Sequence, residues 1–225
     1  MSMPFYVAPE QFMKDKADYA RTRIARGRPV AAATFDGGVL LVAENPSTNL
    51  FKISEIYDKI AFAGVGRYNE FDQMRVAGVQ HADTKGYQYS RDDVDARTLA
   101  NLYAQQLGLV FTHEMKPFEV EILVAEVGAE AEGDQLFHVL YDGMVSSYTS
   151  YHVMGGDAEP LLEALKEAFV EGWNLPTALK ALVKILAGAD REIPVEDLEV
   201  AVLDRNAVRR AFRRVPDAEV SSLLA

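Results

Sequence analysis

Four histidines, two neighbouring glutamates and an arginine run are the side chains whose types could do chemistry in this chain. His81, His113, His138 and His152 show no i, i+4 pair of the kind that places two imidazoles on one helical face for a metal, and the chain has no cysteine to join them. His138 alternates within an apolar run, which reads as a satisfied core or surface histidine. Glu119 and Glu121 are two apart in a strand pattern, so both carboxylates point to one side. A solvated or inter-subunit face explains them better than an acid–base pair. RRAFRR (209–214) offers cations for phosphate. Its alternation sets Arg209, Ala211 and Arg213 against Arg210, Phe212 and Arg214, as on an edge strand guarded by charge or one face of a subunit contact. GVGRYNEF (64–71) lacks the third glycine of a dinucleotide loop and reads as a tight strand-to-helix turn at Gly64 and Gly66. There is no G-x-S-x-G elbow and no phosphate-binding G-x-x-x-x-G-K-[ST] loop.

The elements that would have to position any site follow from hydrophobic periodicity. RGRPVAAATFDGGVLLVAE (26–44) reads as two short strands around Asp36-Gly37-Gly38. Ahead of it, Met13, Ala17, Ala20 and Ile24 lie on one helical face. That helix has Pro9 at its start and Gly27 as its stop, with Glu10 and Arg21, Arg23 and Arg26 at the ends its dipole favours. Further strands are expected at Phe51–Ile53, Lys59–Val65, 117–127, 135–141, 144–149, 151–156, 198–204 and 207–215. Helices are expected at about 68–83, 92–112, 158–171 and 176–187, with Ser90 and Asp93 as a capping pair for the second. Leu161, Leu165, Ala168 and Phe169 mark the face of the third, and Leu179, Leu182, Val183 and Leu186 that of the fourth. Residues 2–8 are apolar without periodicity, and 216–225 read as a frayed tail. Runs of strands separated by helix pairs do not suit a parallel βαβ fold. They suit an α+β architecture of two packed antiparallel sheets covered by helix pairs, in one domain.

Bulk composition narrows the partners. The 225 residues carry a net charge of -11, which argues against nucleic acid as a partner. No apolar run is long enough for a membrane helix, and MSMPFYVAPEQFMKDK lacks the basic start and apolar core of a secretory signal. With no cysteine, disulfides and thiolate chemistry are absent together. A cytoplasmic protein with no cofactor and no metal is the expectation.

The segments MPFYVAPEQ, RIARGRPV, DGGVLLVAENPSTNLFKISEIYDKIAFAGVGRYNEF, ANLYAQQLG, KPFEVEILVAEVG and LEVAVLDRNAVRRAFRR span nearly the whole chain. In combination they resemble the α-type subunits of the actinobacterial proteasome core particle. The resemblance implies the four-layer αββα sandwich of N-terminal-nucleophile hydrolases and a seven-membered ring of neighbouring α subunits stacked on catalytic β subunits. In such hydrolases a threonine at the mature N-terminus attacks with its hydroxyl while its own free amine is the base. Aligned on the Asp36-Gly37 turn, the nucleophile position falls at Arg28, after Gly27, and the catalytic lysine position near Asn49. Neither residue can serve, so no catalytic residue is assigned. The alternative is a self-processed hydrolase with Thr34 as nucleophile, at the loss of residues 1–33.

The same resemblance distributes the remaining roles. Residues 2–8, with Met3, Pro4, Phe5 and Tyr6, map to the tail that closes the axial pore. The helix over 9–26 maps to the face met by activators. Lys52 maps to the pocket between neighbouring subunits where an activator's C-terminal carboxylate docks. The implied partners are β subunits, neighbouring α subunits, a ring-shaped ATPase and protein substrates tagged with a small ubiquitin-like modifier.

Overall fold

The computed structural model describes residues 8–189 and 191–225. Met3, Pro4, Phe5 and Tyr6, expected to form a gate, lie outside them. The elements are α1 (Pro9–Ile24), β1 (Val30–Phe35), β2 (Gly38–Glu44), β3 (Ile53–Tyr57), β4 (Ile60–Gly66), α2 (Tyr68–Gln88), α3 (Ala96–His113), β5 (Val120–Glu126), β6 (Gln135–Val139), β7 (Val145–Tyr148), β8 (Tyr151–Met154), α4 (Ala158–Ala168), α5 (Leu175–Ala187), β9 (Leu198–Asp204), β10 (Phe212–Arg214) and α6 (Asp217–Leu224).

Two five-stranded antiparallel sheets form the centre, in the orders β10-β9-β2-β1-β8 and β3-β4-β5-β6-β7. Strand alternation divides the apolar residues among three cores. Ala32, Leu41, Ala63, Leu123 and Ala201 meet between the sheets. Leu40, Val42 and Val200 face outward under Leu165, Leu179 and Leu182 of α4 and α5. Phe62, Ile122 and Val124 face outward under Phe71 of α2 and Leu99 and Tyr103 of α3. The helix–sheet–sheet–helix layering is that of the αββα sandwich. The first hairpin closes on the two-residue turn Asp36-Gly37, with Phe35 opposite Gly38. Gly38 has φ +141°, and a side chain there would meet the Leu203 carbonyl of the neighbouring strand. Gly66, at φ +107°, makes the strand-to-helix turn because a Cβ would strike the Glu119 carbonyl.

Several expected boundaries move, for identifiable reasons. Residues 216–225 are not frayed: Asp217–Leu224 is a helix, begun by Pro216 with Asp217 and Glu219 in its first turn. Val220 is buried in the outer core under the first sheet, and Leu223 and Leu224 pack against it. The closing strand over 207–215 contracts to Phe212–Arg214, on the sheet's edge. Asp204 bonds the Asn206 amide and the chain loops out until the Ala211 amide reaches the Asp58 carbonyl. Ala211 and Phe212 therefore both enter the inter-sheet core rather than alternating. The strand expected at Phe51–Ile53 begins at Ile53 and runs on to Tyr57. Ser90 caps only a short turn, whereas Asp95 caps α3 by accepting from the Thr98 amide at 2.7 Å.

α1 stands apart from the layers. Ala20 and Ile24 are buried in the inter-sheet core, and Lys16 is buried with its ammonium on the Phe111 and Glu114 carbonyls. The helix thus stops the open end of the sandwich instead of lying on its surface.

Candidate functional site

The corner where β1 begins holds Arg28 and the loop carrying Lys52. The chain enters it from α1 without interruption: the Gly27 amide bonds the Ile24 carbonyl at 2.8 Å, and Pro29 leads into β1. The nitrogen of residue 28 is therefore an internal peptide nitrogen. A residue at this position has no free amine to act as base, and arginine has no hydroxyl to attack.

Arg28 instead contacts the carboxylate of Glu44, the last residue of β2. Glu44 is buried and also receives a two-pronged contact from Arg191, at 2.8 and 2.7 Å. Arg191 in turn bonds the Ala187 and Leu186 carbonyls at the C-terminus of α5, where the helix dipole favours a cation. A buried carboxylate needs this compensation, and both guanidiniums keep one side in water.

A second buried carboxylate, Glu199 on β9, organises the loop after β2. It accepts from Asn45 Nδ2 (2.7 Å), the Lys52 amide (2.9 Å), the Ile53 amide (2.9 Å) and Arg214 Nη1 (2.6 Å). Asn45 also donates to the Leu50 carbonyl, and Ser47 Oγ accepts from the Leu50 amide, so the loop is pinned on both sides. Asn49, near which the catalytic lysine position is expected to fall, is exposed within that loop and carries no charge. Lys52 is half-buried and donates from Nζ to the Arg28 carbonyl at 2.7 Å. It makes no ion pair among the described residues. Burial, partly countered by Glu199 and reinforced by Arg28, pushes its pKa down to about 8. Leu50 and Phe51, which precede it in the chain, have exposed side chains, with the Arg214 guanidinium 4.2 Å over the Phe51 ring.

Thr34 is remote from this corner along β1. It pairs with Val39, and its amide donates to the Ser150 carbonyl at 2.7 Å. Cleavage before it would strip Val30–Ala33 from the middle of the first sheet, where they pair with both β2 and β8. It would also remove Ala20 and Ile24 from the inter-sheet core. The geometry speaks against Thr34 as a processed nucleophile.

The other chemistry-bearing residues are absorbed by structure. Arg210 pairs with Glu55, Arg213 with Glu219 and Arg214 with Glu199, so three of the four arginines of the 209–214 run are matched by carboxylates. Glu119 and Glu121 do share a side, but it is no solvated face. Glu119 is buried with Lys116, Tyr19 and Arg67 around it, and Glu121 accepts from the Gly155 amide. His138 and His152 meet between the sheets, Nδ1 to Nε2 at 3.0 Å, with the Tyr148 ring stacked on His152 at 4.2 Å and Glu121 3.4 Å from His138. Burial foremost, then His138, pushes the His152 pKa down to about 3. Among the described residues no three His, Cys, Asp or Glu side chains are placed to hold a metal ion. Sequence reasoning singled out Lys52 and Arg28 but missed Glu44 and Glu199. Their signal was an acidic residue inside an otherwise apolar strand, at the end of GVLLVAE and in LEVAVLD.

Residues 24–203 match the family model described as "Proteasome subunit". The chain is 58% identical over 230 aligned residues to the "Proteasome subunit alpha" of Sanguibacter keddieii, covering 100% of this chain and 90% of that one. It is 57% identical to the protein of the same name from Acidimicrobium ferrooxidans, covering 100% of this chain and 97% of that one. With that of Thermomonospora curvata it shares 55%, over 100% of this chain and 99% of the relative.

Proposed function

The chain belongs to the proteasome subunit family and is similar to members named as alpha subunits, and we propose that it is a non-catalytic α-ring subunit of a proteasome core particle. The observation that carries this reading is Arg28. The position that must hold a processed threonine is occupied by a paired arginine inside an unbroken chain, behind a helix whose Ala20 and Ile24 belong to the core. The fold serves as architecture: seven such subunits form a ring, scaffold the catalytic β subunits and control entry to the protease chamber.

Two further parts of the reading rest on chemistry at named positions. Met3, Pro4, Phe5 and Tyr6 supply an apolar tail that clusters with its ring mates over the pore. Lys52 offers a cation next in the chain to exposed Leu50 and Phe51, a combination suited to an apolar peptide end with its carboxylate. That peptide belongs to a ring-shaped ATPase which delivers proteins marked by a small ubiquitin-like modifier. The compartment is the cytoplasm; among the described residues no helix is long and apolar enough to cross a membrane.

The test is turnover of short fluorogenic peptides by the purified chain, alone and with the β subunit of the same organism. Activity is expected only with the β subunit. Robust hydrolysis by the chain alone, blocked by a threonine-directed inhibitor, would refute the reading.

A further inference from the structure

We infer that Glu199 is the positioning residue of the Lys52 pocket: its buried carboxylate both fixes the backbone that carries Lys52 and places a negative charge in a corner otherwise crowded with guanidiniums. This rests on the docking role proposed for Lys52.

The positioning part follows from four donors on one carboxylate. Two of them are consecutive amides, Lys52 and Ile53, bonded at 2.9 Å each to the two different oxygens. A third, Asn45, grips the other end of the loop through the Leu50 carbonyl. The fourth, Arg214, also bonds the Ile53 carbonyl at 2.7 Å. Lys52 is thereby held at its backbone by Glu199 and at its tip by the Arg28 carbonyl, 2.7 Å away.

The charge part follows from what surrounds the ammonium. Arg28 precedes β1, Arg214 lies on β10 and Arg191 follows α5, three guanidiniums in one corner. Glu44 is taken up by Arg28 and Arg191. Among the described residues Glu199 forms an ion pair with Arg214 alone, and it is the carboxylate that holds the Lys52 pKa up against burial and Arg28. A docking cation must be protonated to meet a carboxylate, so docking should fade as pH rises through the Lys52 pKa, which is about 8. Neutralising Glu199 should move that alkaline limb to lower pH.

The experiment uses assembled particles containing wild-type, Lys52→Ala, Glu199→Gln or Glu199→Asp subunits. The probe is a fluorescent peptide with the C-terminal sequence of the ring ATPase from the same organism, and its C-terminally amidated form is the control. Binding is titrated across neutral to alkaline pH. For Glu199→Gln the affinity loss should be several-fold larger at the alkaline end than at the acid end, with the midpoint shifted to lower pH and binding recovered on acidification. Glu199→Asp keeps the charge but not the reach, so it should weaken binding at every pH with the midpoint unmoved. A uniform loss in Glu199→Gln marks a merely structural residue and overturns the inference, as does a wild-type profile. If Glu199→Gln does not assemble, Glu199→Asp decides, and wild-type binding by that variant overturns the inference. If Lys52→Ala itself binds like wild type, the docking role is what fails.

Discussion

Replacing His152 by glutamine is expected to flatten the stability loss of this protein in mild acid. His152 is buried between the sheets, against His138 at 3.0 Å and beneath the Tyr148 ring, with Glu121 reaching the cluster only through His138. Its pKa falls from 6.5 to about 3 on folding, so the fold holds it neutral. A group whose pKa is depressed in this way contributes stability above its unfolded value, and that contribution drains away as pH falls through 6.5 toward 3. At 1.36 kcal/mol per unit, the cost reaches about 2 kcal/mol by about pH 5. For a chain of this size that corresponds to roughly 4–8 °C in melting temperature. Glutamine keeps a donor for His138 and cannot titrate. The assay is thermal unfolding of both proteins in the same assembly state at about pH 7.5 and about pH 5, a window above most carboxylate titration. The wild type should lose several degrees more than the variant between the two. Equal losses would show that His152 is not held neutral and that the inter-sheet cluster is wetter than its burial implies.

Three other outcomes follow from the same structure. Removal of residues 2–7 should raise hydrolysis of small peptides by the assembled particle, since apolar burial at ~25 cal/mol per Å² makes the tail a reversible plug; equal rates would take the tail out of the gate. Lys52→Ala should weaken binding of the ATPase C-terminal peptide, by ~2–5 kcal/mol for a desolvated contact and ~0–1 kcal/mol for a wet one, with the smaller loss vanishing at high salt. Arg205→Leu should destabilise the chain by ~3–5 kcal/mol in denaturant titration, because it strips the two-pronged partner at 2.9 and 2.8 Å from the fully buried Asp134; an unchanged midpoint would mean that water replaces the arginine.

Most of the layering was legible because sandwich strands advertise their faces. Phe118, Val120, Ile122 and Val124 face the α2–α3 core while Leu123 and Ala125 face the first sheet, as their alternation requires. The helix over Met13, Ala17, Ala20 and Ile24 was legible too, although Met13 ends half-exposed because only the C-terminal half of α1 enters the sandwich. The misreadings fall where local pattern and tertiary context disagree. VSSLL is short and serine-rich, so its Val220, Leu223 and Leu224 face is hidden until α5 is there to cover it. RRAFRR alternates like a strand, but Asp204 and the Asp58 carbonyl hold its first half in a loop.

The site was legible only as a loss. Position 28 announced that no threonine stands there, but no local pattern says what an arginine does in its place. The answer lies in residues far away in sequence: Glu44 and Arg191 for Arg28, and Glu199 and Arg214 for the loop of Lys52. Two carboxylates buried within apolar strands are costly unless fully partnered, and both are. An apolar residue at Glu199 would leave the Lys52 and Ile53 amides, Asn45 and Arg214 without their acceptor, and one at Glu44 would leave Arg28 and Arg191 without their carboxylate. Together the two carboxylates fix where charge stands in the corner. Glu44 holds Arg28, Arg28 offers its carbonyl to Lys52, and Glu199 holds the amide of Lys52. The corner thus holds one lysine at both ends, its amide on Glu199 and its ammonium on the Arg28 carbonyl.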